Sequence, residues 1–268
     1  MAKGCWPDWE ERFWVAIVGA RKATKWGLTQ AKKISKNLAA CHCGIVSGLA
    51  YGIDSAAHAA CVEADGVTWG VLGSGIDNIY PSRNKTLAEA MTKKGGYLSE
   101  FPLGSQPYPS HFIQRNRIIS GLSHAVIIVE AAIHSGSLVT ARYALEQGRE
   151  VFVVVPPEEH VTYEGNKKLL EEGATPYESA EQILEEIKNW KTGTGHASRP
   201  SAPPQTRVPL AADLLSSAPL IQFLKRPTSL DQLVSKTKKL PQELLAELLQ
   251  LETEGFIKKS PGPLWQSL

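Results

Sequence analysis

A regular alternation of short apolar runs with amphipathic stretches most restricts how this chain can fold. Val15–Val18, Ile45–Ser47, Thr68–Leu72, Gly96–Ser99, Ala125–Val129 and Glu150–Val155 are too short for stable helices and are mostly apolar or β-branched, so each is expected as a strand. Between them, Thr29–Ala40 carries Ala31, Ile34 and Leu38 at helical spacing. Ile53–Ala64, Leu87–Lys94, Arg115–Leu122 and Ser137–Gln147 are expected as further helices. A strand apolar on both faces must be covered on both, and strands separated by helices run parallel. The expectation is an α/β fold, a Rossmann-like doubly wound and mostly parallel sheet.

Past Trp190 the pattern changes. Lys191–Pro209 holds four prolines and two glycines with no apolar periodicity, which predicts a linker. Leu214–Leu224, Ser229–Lys236 and Pro241–Glu254 are expected as helices, with start signals at Thr228-Ser229 and Leu240-Pro241. A strand at Phe256–Lys259 and a Pro-Gly turn before Leu264-Trp265 follow them. Together they predict a small winged-helix domain. The expected division is a core over 1–190, a linker over 191–209 and a winged helix over 210–268.

Composition narrows the function classes. The apolar stretches, Ala125–Val129 among them, are far short of a membrane span. Met1–Arg12 carries acids and no apolar run, so no signal peptide is visible and a cytoplasmic location is expected. Cys5, Cys41, Cys43 and Cys61 do not make a secreted framework in a chain of 268 residues. Cys41-His42-Cys43 is too tightly spaced for the usual zinc knuckle, so no metal is expected. The net charge of +2 rules out a uniformly basic coat protein, yet it averages unequal parts. Residues 1–120 hold 14 basic and 9 acidic side chains, 121–190 hold 5 and 12, and 191–268 hold 10 and 6. From Arg12 to Ile53 there are seven basic residues and no carboxylate, and Phe101–Val129 is a second acid-free window. Lys32, Lys33 and Lys36 fit the solvated face of a helix.

Ligands of doubly wound sheets bind at the carboxyl ends of the strands. Here those ends are Gly19-Ala20-Arg21, then Ser47-Gly48 through Gly52-Ile53-Asp54, then Gly73-Ser74-Gly75. Backbone N–H groups at such turns favour phosphate, and Arg21 adds a planar donor fork. Gly136 and Ser137 open a helix in the same way. Neither the dinucleotide fingerprint nor the P-loop pattern is present, so no nucleotide cofactor is expected.

The stretch Phe101–Arg117 carries Pro102, Pro107 and Pro109 before His111-Phe112-Ile113-Gln114-Arg115-Asn116-Arg117. An aromatic ring beside a basic groove suits single-strand binding. The alternative puts Phe112 in the core and pairs Arg115 and Arg117 with Asp54 or Glu100. No catalytic constellation stands out: none of the seven histidines has a metal-ligand spacing, Ser135-Gly136-Ser137 fits helix capping, and Glu100 and Glu130 close strands.

VAIVGAR at Val15–Arg21, SGLAYGID at Ser47–Asp54, Ala57-His58, VLGSGID at Val71–Asp77, Tyr80-Pro81 with Asn84, LSEFP at Leu98–Pro102, FIQRNRIISGL at Phe112–Leu122 and SGSLVTARYALEQG at Ser135–Gly148 are identified in consistent order over residues 13–157. This set resembles the DprA/Smf family of bacterial DNA-processing proteins, in which a C-terminal winged helix is also common. The resemblance implies a protein, not an enzyme, that binds single-stranded DNA. It also implies protection of DNA taken up in transformation, loading of the RecA recombinase and a homodimer formed through the Rossmann-like domain. It carries the basic pocket onto Arg21, the base-stacking aromatic onto Phe112, the R-N-R motif onto Arg115, Asn116 and Arg117, and a basic position onto Lys85.

Two departures accompany the match. The core begins by residue 13, so the N-terminal helical domain of many members is expected to be absent or reduced, and the usual Pro-Gly after the last core strand is Pro156-Pro157. With 7 basic and 6 acidic residues over 210–268, the winged helix suits docking or regulation better than duplex binding. The alternative function is a nucleotide enzyme of the related phosphoribohydrolase type. Such enzymes carry P-G-G-x-G-T where this chain has Ser135–Thr140. A dinucleotide oxidoreductase is weaker still.

Overall fold

The computed structural model describes residues 1–7, 9–157, 161–192, 223–224, 228–237, 244, 248, 257–260 and 264–267. The chain divides into two compact units, one of Met1–Pro107 and His111–Ala197 and one of Tyr108–Ser110 and Ser198–Leu268; the helix that begins at Pro109 is described with the first. In the first unit the order is β1 (Ala2–Gly4), β2 (Trp14–Val18), α1 (Lys25–Ala40), β3 (Gly44–Ser47), α2 (Ile53–Glu63), β4 (Thr68–Val71), α3 (Lys85–Met91) and β5 (Gly96–Leu98). It continues with α4 (Pro109–Gly121), β6 (Ala125–Ile128), α5 (Gly136–Glu146), β7 (Glu150–Val153), α6 (Glu164–Glu171), β8 (Thr175–Pro176) and α7 (Ala180–Thr192).

The strands form one eight-stranded sheet in the order β1-β5-β4-β3-β2-β6-β7-β8. All its pairs are parallel except β1, which runs antiparallel along β5. The expected doubly wound architecture is therefore present. Alternation along each strand feeds two cores. Val15, Ile17, Ile45, Ile127 and Phe152 pack under α1, α2 and α7 through Ile34, Leu38, Ala57, Ile183 and Ile187. Trp14, Ala16, Val46, Trp69, Val126 and Val151 face α4, α5 and α6 through Ile119, Ala141, Ala144 and Leu169. Lys32, Lys33 and Lys36 lie exposed on α1, where Lys36 pairs with Glu63 at 3.0 Å.

Several boundaries differ from expectation. α1 starts four residues before Thr29, because Thr24 caps it by accepting from the Gly27 N–H. α4 starts at Pro109 rather than Arg115, since proline fits the first helical turn, where no N–H partner is needed. β1, α6, β8 and α7 were not expected. α7 also runs two residues into the segment expected as linker.

In the second unit, β9 (Thr228–Ser229), α8 (Leu230–Thr237), β10 (Ile257–Ser260) and β11 (Leu264–Ser267) are described, with an antiparallel sheet ordered β10-β11-β9. Leu224, Leu233, Leu244, Leu248, Ile257 and Trp265 are buried together, and the β10–β11 hairpin supplies the wing. The remainder of the linker expected to 209, and most of the helices expected over 214–224 and 241–254, lie outside the described residues.

Candidate nucleic-acid interface

The connections leaving β2 run toward β3 on one side, whereas β6 lies on its other side. The crevice at this reversal is where such sheets take ligands. α4 crosses the neighbouring strand ends, and its side chains reach several of the predicted loops. Phe112 lies half-buried against Gly73, where a Cβ would stand 2.6 Å from the ring. Arg115 Nη1 donates to the Gly48 carbonyl at 2.7 Å and to the Val71 carbonyl. Asn116 Nδ2 donates to the Gly136 carbonyl at 3.2 Å. Arg117 pairs with Glu100.

The two arginines of the R-N-R motif thus have different fates. Arg115 is 3% exposed and bonded inward. Gly48 is needed beside it, because a Cβ there would stand 2.6 Å from Asp54 Oδ2 and 2.7 Å from Arg115 Nη2. Asp54 Oδ2 in turn accepts from the Gly48 N–H at 3.0 Å. Burial raises the Asp54 carboxyl above its usual range, and the Arg115 guanidinium opposes that shift. Burial lowers Arg115 itself to about 10, so it remains charged at neutral pH. Arg117 is exposed, and its pair with Glu100 is solvated. Arg117→Ala is expected to cost about 0.2–1 kcal/mol of stability in urea denaturation, in line with exposed pairs. A larger loss would assign the pair a structural role.

Arg21 is exposed at the end of the first loop, with its guanidinium 5.1 Å from the centre of the Phe112 ring. Arg115 lies 5.8 Å from the same ring, and the Tyr80 ring lies 5.5 Å away. Tyr80 is 42% exposed, and nothing in its Tyr80-Pro81 motif signals that it stands beside Phe112. Lys22 and Lys25, close in sequence to Arg21, are exposed as well. Gly52 makes the approach of the first two loops possible. Its φ is +76°, and a Cβ would stand 2.2 Å from the Ala20 carbonyl oxygen.

Other predicted positions are used internally. The Ser47 hydroxyl donates to the Ile17 carbonyl and the Ser74 hydroxyl to the Asn78 carbonyl, both at 2.6 Å. The Gly75 N–H donates to the Ser105 carbonyl at 2.9 Å. Ser137 lies 2.7 Å from the Ser135 hydroxyl, which caps α5. Gly19 packs against the main chain of Glu130. Lys85 is exposed at the start of α3, next to Asn84, whose Nδ2 donates to the Leu49 carbonyl at 2.8 Å. The Ser47 and Ser74 hydroxyls therefore shape the loops. Cys43 is buried, which pushes its thiol up to about 12. Among the described residues, no helix is long and apolar enough to cross a membrane.

The family model for DNA recombination-mediator protein A matches residues 2–188, and that for the DprA winged helix domain matches 198–263. Protein Smf of Escherichia coli K12 is 40% identical over 254 residues, covering 93% of this chain and 67% of its own length. DNA processing protein DprA of Bacillus subtilis is 47% identical over 174 residues, 65% of this chain and 58% of that protein. The X-ray structure of DprA from Streptococcus pneumoniae superposes with a TM-score of 0.65 at 40% identity, covering 69% of this chain and 65% of that one. A Helicobacter pylori DNA processing protein A structure, concerned with its single-stranded DNA binding mode, gives a TM-score of 0.63 at 28% identity, covering 73% and 87%. The chain thus spans about two thirds or less of several of these relatives. With both family models matched in order along the chain, and the strand-end motifs gathered around α4, this protein belongs to the DprA/Smf family of DNA-processing proteins.

Proposed function

We propose that this chain binds single-stranded DNA, protects incoming strands and delivers them to a RecA recombinase during transformation and recombination. It acts by binding rather than by catalysis, and as a homodimer through the Rossmann-like domain. The observation that carries the reading is the exposed Arg21 guanidinium held over Phe112 beside the sheet's switch point, with Tyr80 next to the ring. A cation and aromatic faces side by side suit a phosphate and its base. The relative from Helicobacter pylori, studied for its single-stranded DNA binding mode, supports the same ligand. In this reading Arg21, Phe112 and Lys85 contact the strand. Arg115, Asn116, Gly19, Ser47, Gly48 and Gly52 hold the loops that present them, as do Gly73, Ser74, Gly75, Gly136 and Ser137.

Gel shifts with single- and double-stranded oligonucleotides at several salt concentrations test this. Preference for the single strand is expected, with log affinity falling by about 0.7 per phosphate contact for each tenfold rise in salt. Equal affinity for both forms, or none for either, sinks the reading. RecA delivery predicts faster RecA filament growth on strands already coated by a single-strand-binding protein, and sedimentation reads the dimer.

A further inference from the structure

The N-terminus of the helix after the first central strand is where sheets of this topology receive a nucleotide phosphate. In this chain a side chain occupies that place. Glu130, two residues beyond β6, is fully buried. Its Oε2 accepts from the Thr24 N–H at 3.0 Å, the Thr24 hydroxyl at 2.9 Å and the Tyr163 hydroxyl at 3.1 Å, and its Oε1 from the Thr24 N–H at 3.2 Å. Thr24 is the N-cap of α1, and its hydroxyl accepts from the Gly27 N–H at 3.0 Å. A Cβ at Gly27 would stand 2.1 Å from Oε2, so the helix is cut away to admit the carboxylate.

Two further observations fit an anion seat. α1 has no acidic residue in its first turn, so Glu130 reaches in from another loop to meet the positive end of the helix. Tyr163 is kept a donor. Burial chiefly raises its phenol above the usual range, and the nearby Glu130 carboxylate adds to this against a hydrogen bond with Thr24.

We infer that Glu130 is the built-in occupant of the sheet's phosphate seat, so that a nucleotide phosphate is refused there and any phosphate the chain takes is received further out. The inference does not rest on the single-stranded DNA reading, although the two meet in one loop. The Ala20 N–H donates to the Glu130 carbonyl at 2.7 Å, one residue before Arg21. The main chain of Glu130 therefore braces the start of the loop that carries the outer cation.

Emptying the seat tests this. Thermal melts of the full chain are compared for Glu130, Glu130→Gln and Glu130→Ala, all in an Arg21→Ala/Lys85→Ala background so that neither cation assigned to the outer site remains. Sodium formate, inorganic phosphate or adenosine monophosphate is added at an ionic strength held constant with chloride. The Glu130→Ala form is expected to melt lower and to regain about 3–5 °C for each tenfold rise in formate above its dissociation constant. The Glu130 and Glu130→Gln forms are expected to show no such gain. If the alanine form does not fold, its refolding yield in formate against chloride gives the same readout. Stabilisation of the Glu130 form by phosphate or adenosine monophosphate overturns the inference, as does an alanine form that formate neither stabilises nor refolds. Gel shifts on the unsubstituted chain judge the DNA reading separately.

Discussion

Arg115→Ala is expected to lower the unfolding free energy by about 3–5 kcal/mol, the cost of breaking a buried charge arrangement. For a unit of this size that is a fall in Tm of about 6–20 °C. Arg115 is 3% exposed and its guanidinium donates to the carbonyls of Gly48 and Val71, the first after β3 and the second at the end of β4. Alanine leaves both carbonyls without that donor and leaves Asp54 buried without its counter-charge. Lysine is a poor substitute, because a single ammonium cannot reproduce the planar fork. The pH dependence has a definite sign. Asp54 has a folded pKa above its ordinary 3.8, so between the two values the native state holds the extra proton and stability falls as pH rises. Removing Arg115 raises the folded value further and extends that window upward. The Arg115→Ala defect should therefore shrink as pH is lowered from 7. Urea denaturation across pH, with Arg115→Ala/Asp54→Asn as the double variant, checks this. A loss below about 1 kcal/mol, or strict additivity in the double variant, would mean that the charges are not coupled.

What could be read from the residues, and what could not, follows from the same physics. The six central strands were legible because strands covered on both faces are continuously apolar, a pattern local to each run. β1 and β8 were not, since Ala2-Lys3-Gly4 and Thr175-Pro176 pair at the sheet edges without a buried face of their own. The switch-point loops were legible from glycine and arginine, but the direction of each hydroxyl was not, and Ser47 and Ser74 turned inward. The separate roles of Arg115 and Arg117 were hidden by the place given to the start of α4. Once the helix begins at Pro109, Phe112, Arg115 and Ile119 share one face and Arg117 falls on another. The signal was there in Pro109 as a first-turn residue. Glu130 was visible as a strand-closing acid, but its partners Thr24 and Tyr163 come from distant parts of the chain.

Phe112→Ala should weaken single-stranded DNA binding by about 1–3 kcal/mol, or about 5- to 150-fold in Kd, as expected for losing a stacking ring. In the free protein Arg21 lies 5.1 Å from that ring. An exposed cation–π contact is worth about 0.5–1 kcal/mol, so an arriving base can displace the guanidinium at modest cost. In the proposed reading the displaced Arg21 would then meet the backbone of the same nucleotide, with a phosphate replacing the ring as its partner. This exchange makes the two residues a unit. Arg21→Ala should weaken binding to all sequences and reduce the salt slope by about 0.7, the share of one phosphate contact. Phe112→Ala should leave the slope near its original value, because it removes no charge. The double variant should lose less than the sum of the single losses, since without the ring Arg21 is no longer held ready at the site. Phe112→Trp should retain affinity, and Phe112→Leu, which keeps apolar bulk without a π-face, should not. Fluorescence anisotropy with a labelled oligonucleotide at several salt concentrations measures all of these, with melts confirming that each variant is folded. Folded Phe112→Ala and Arg21→Ala proteins with undiminished affinity would remove the strand from this site.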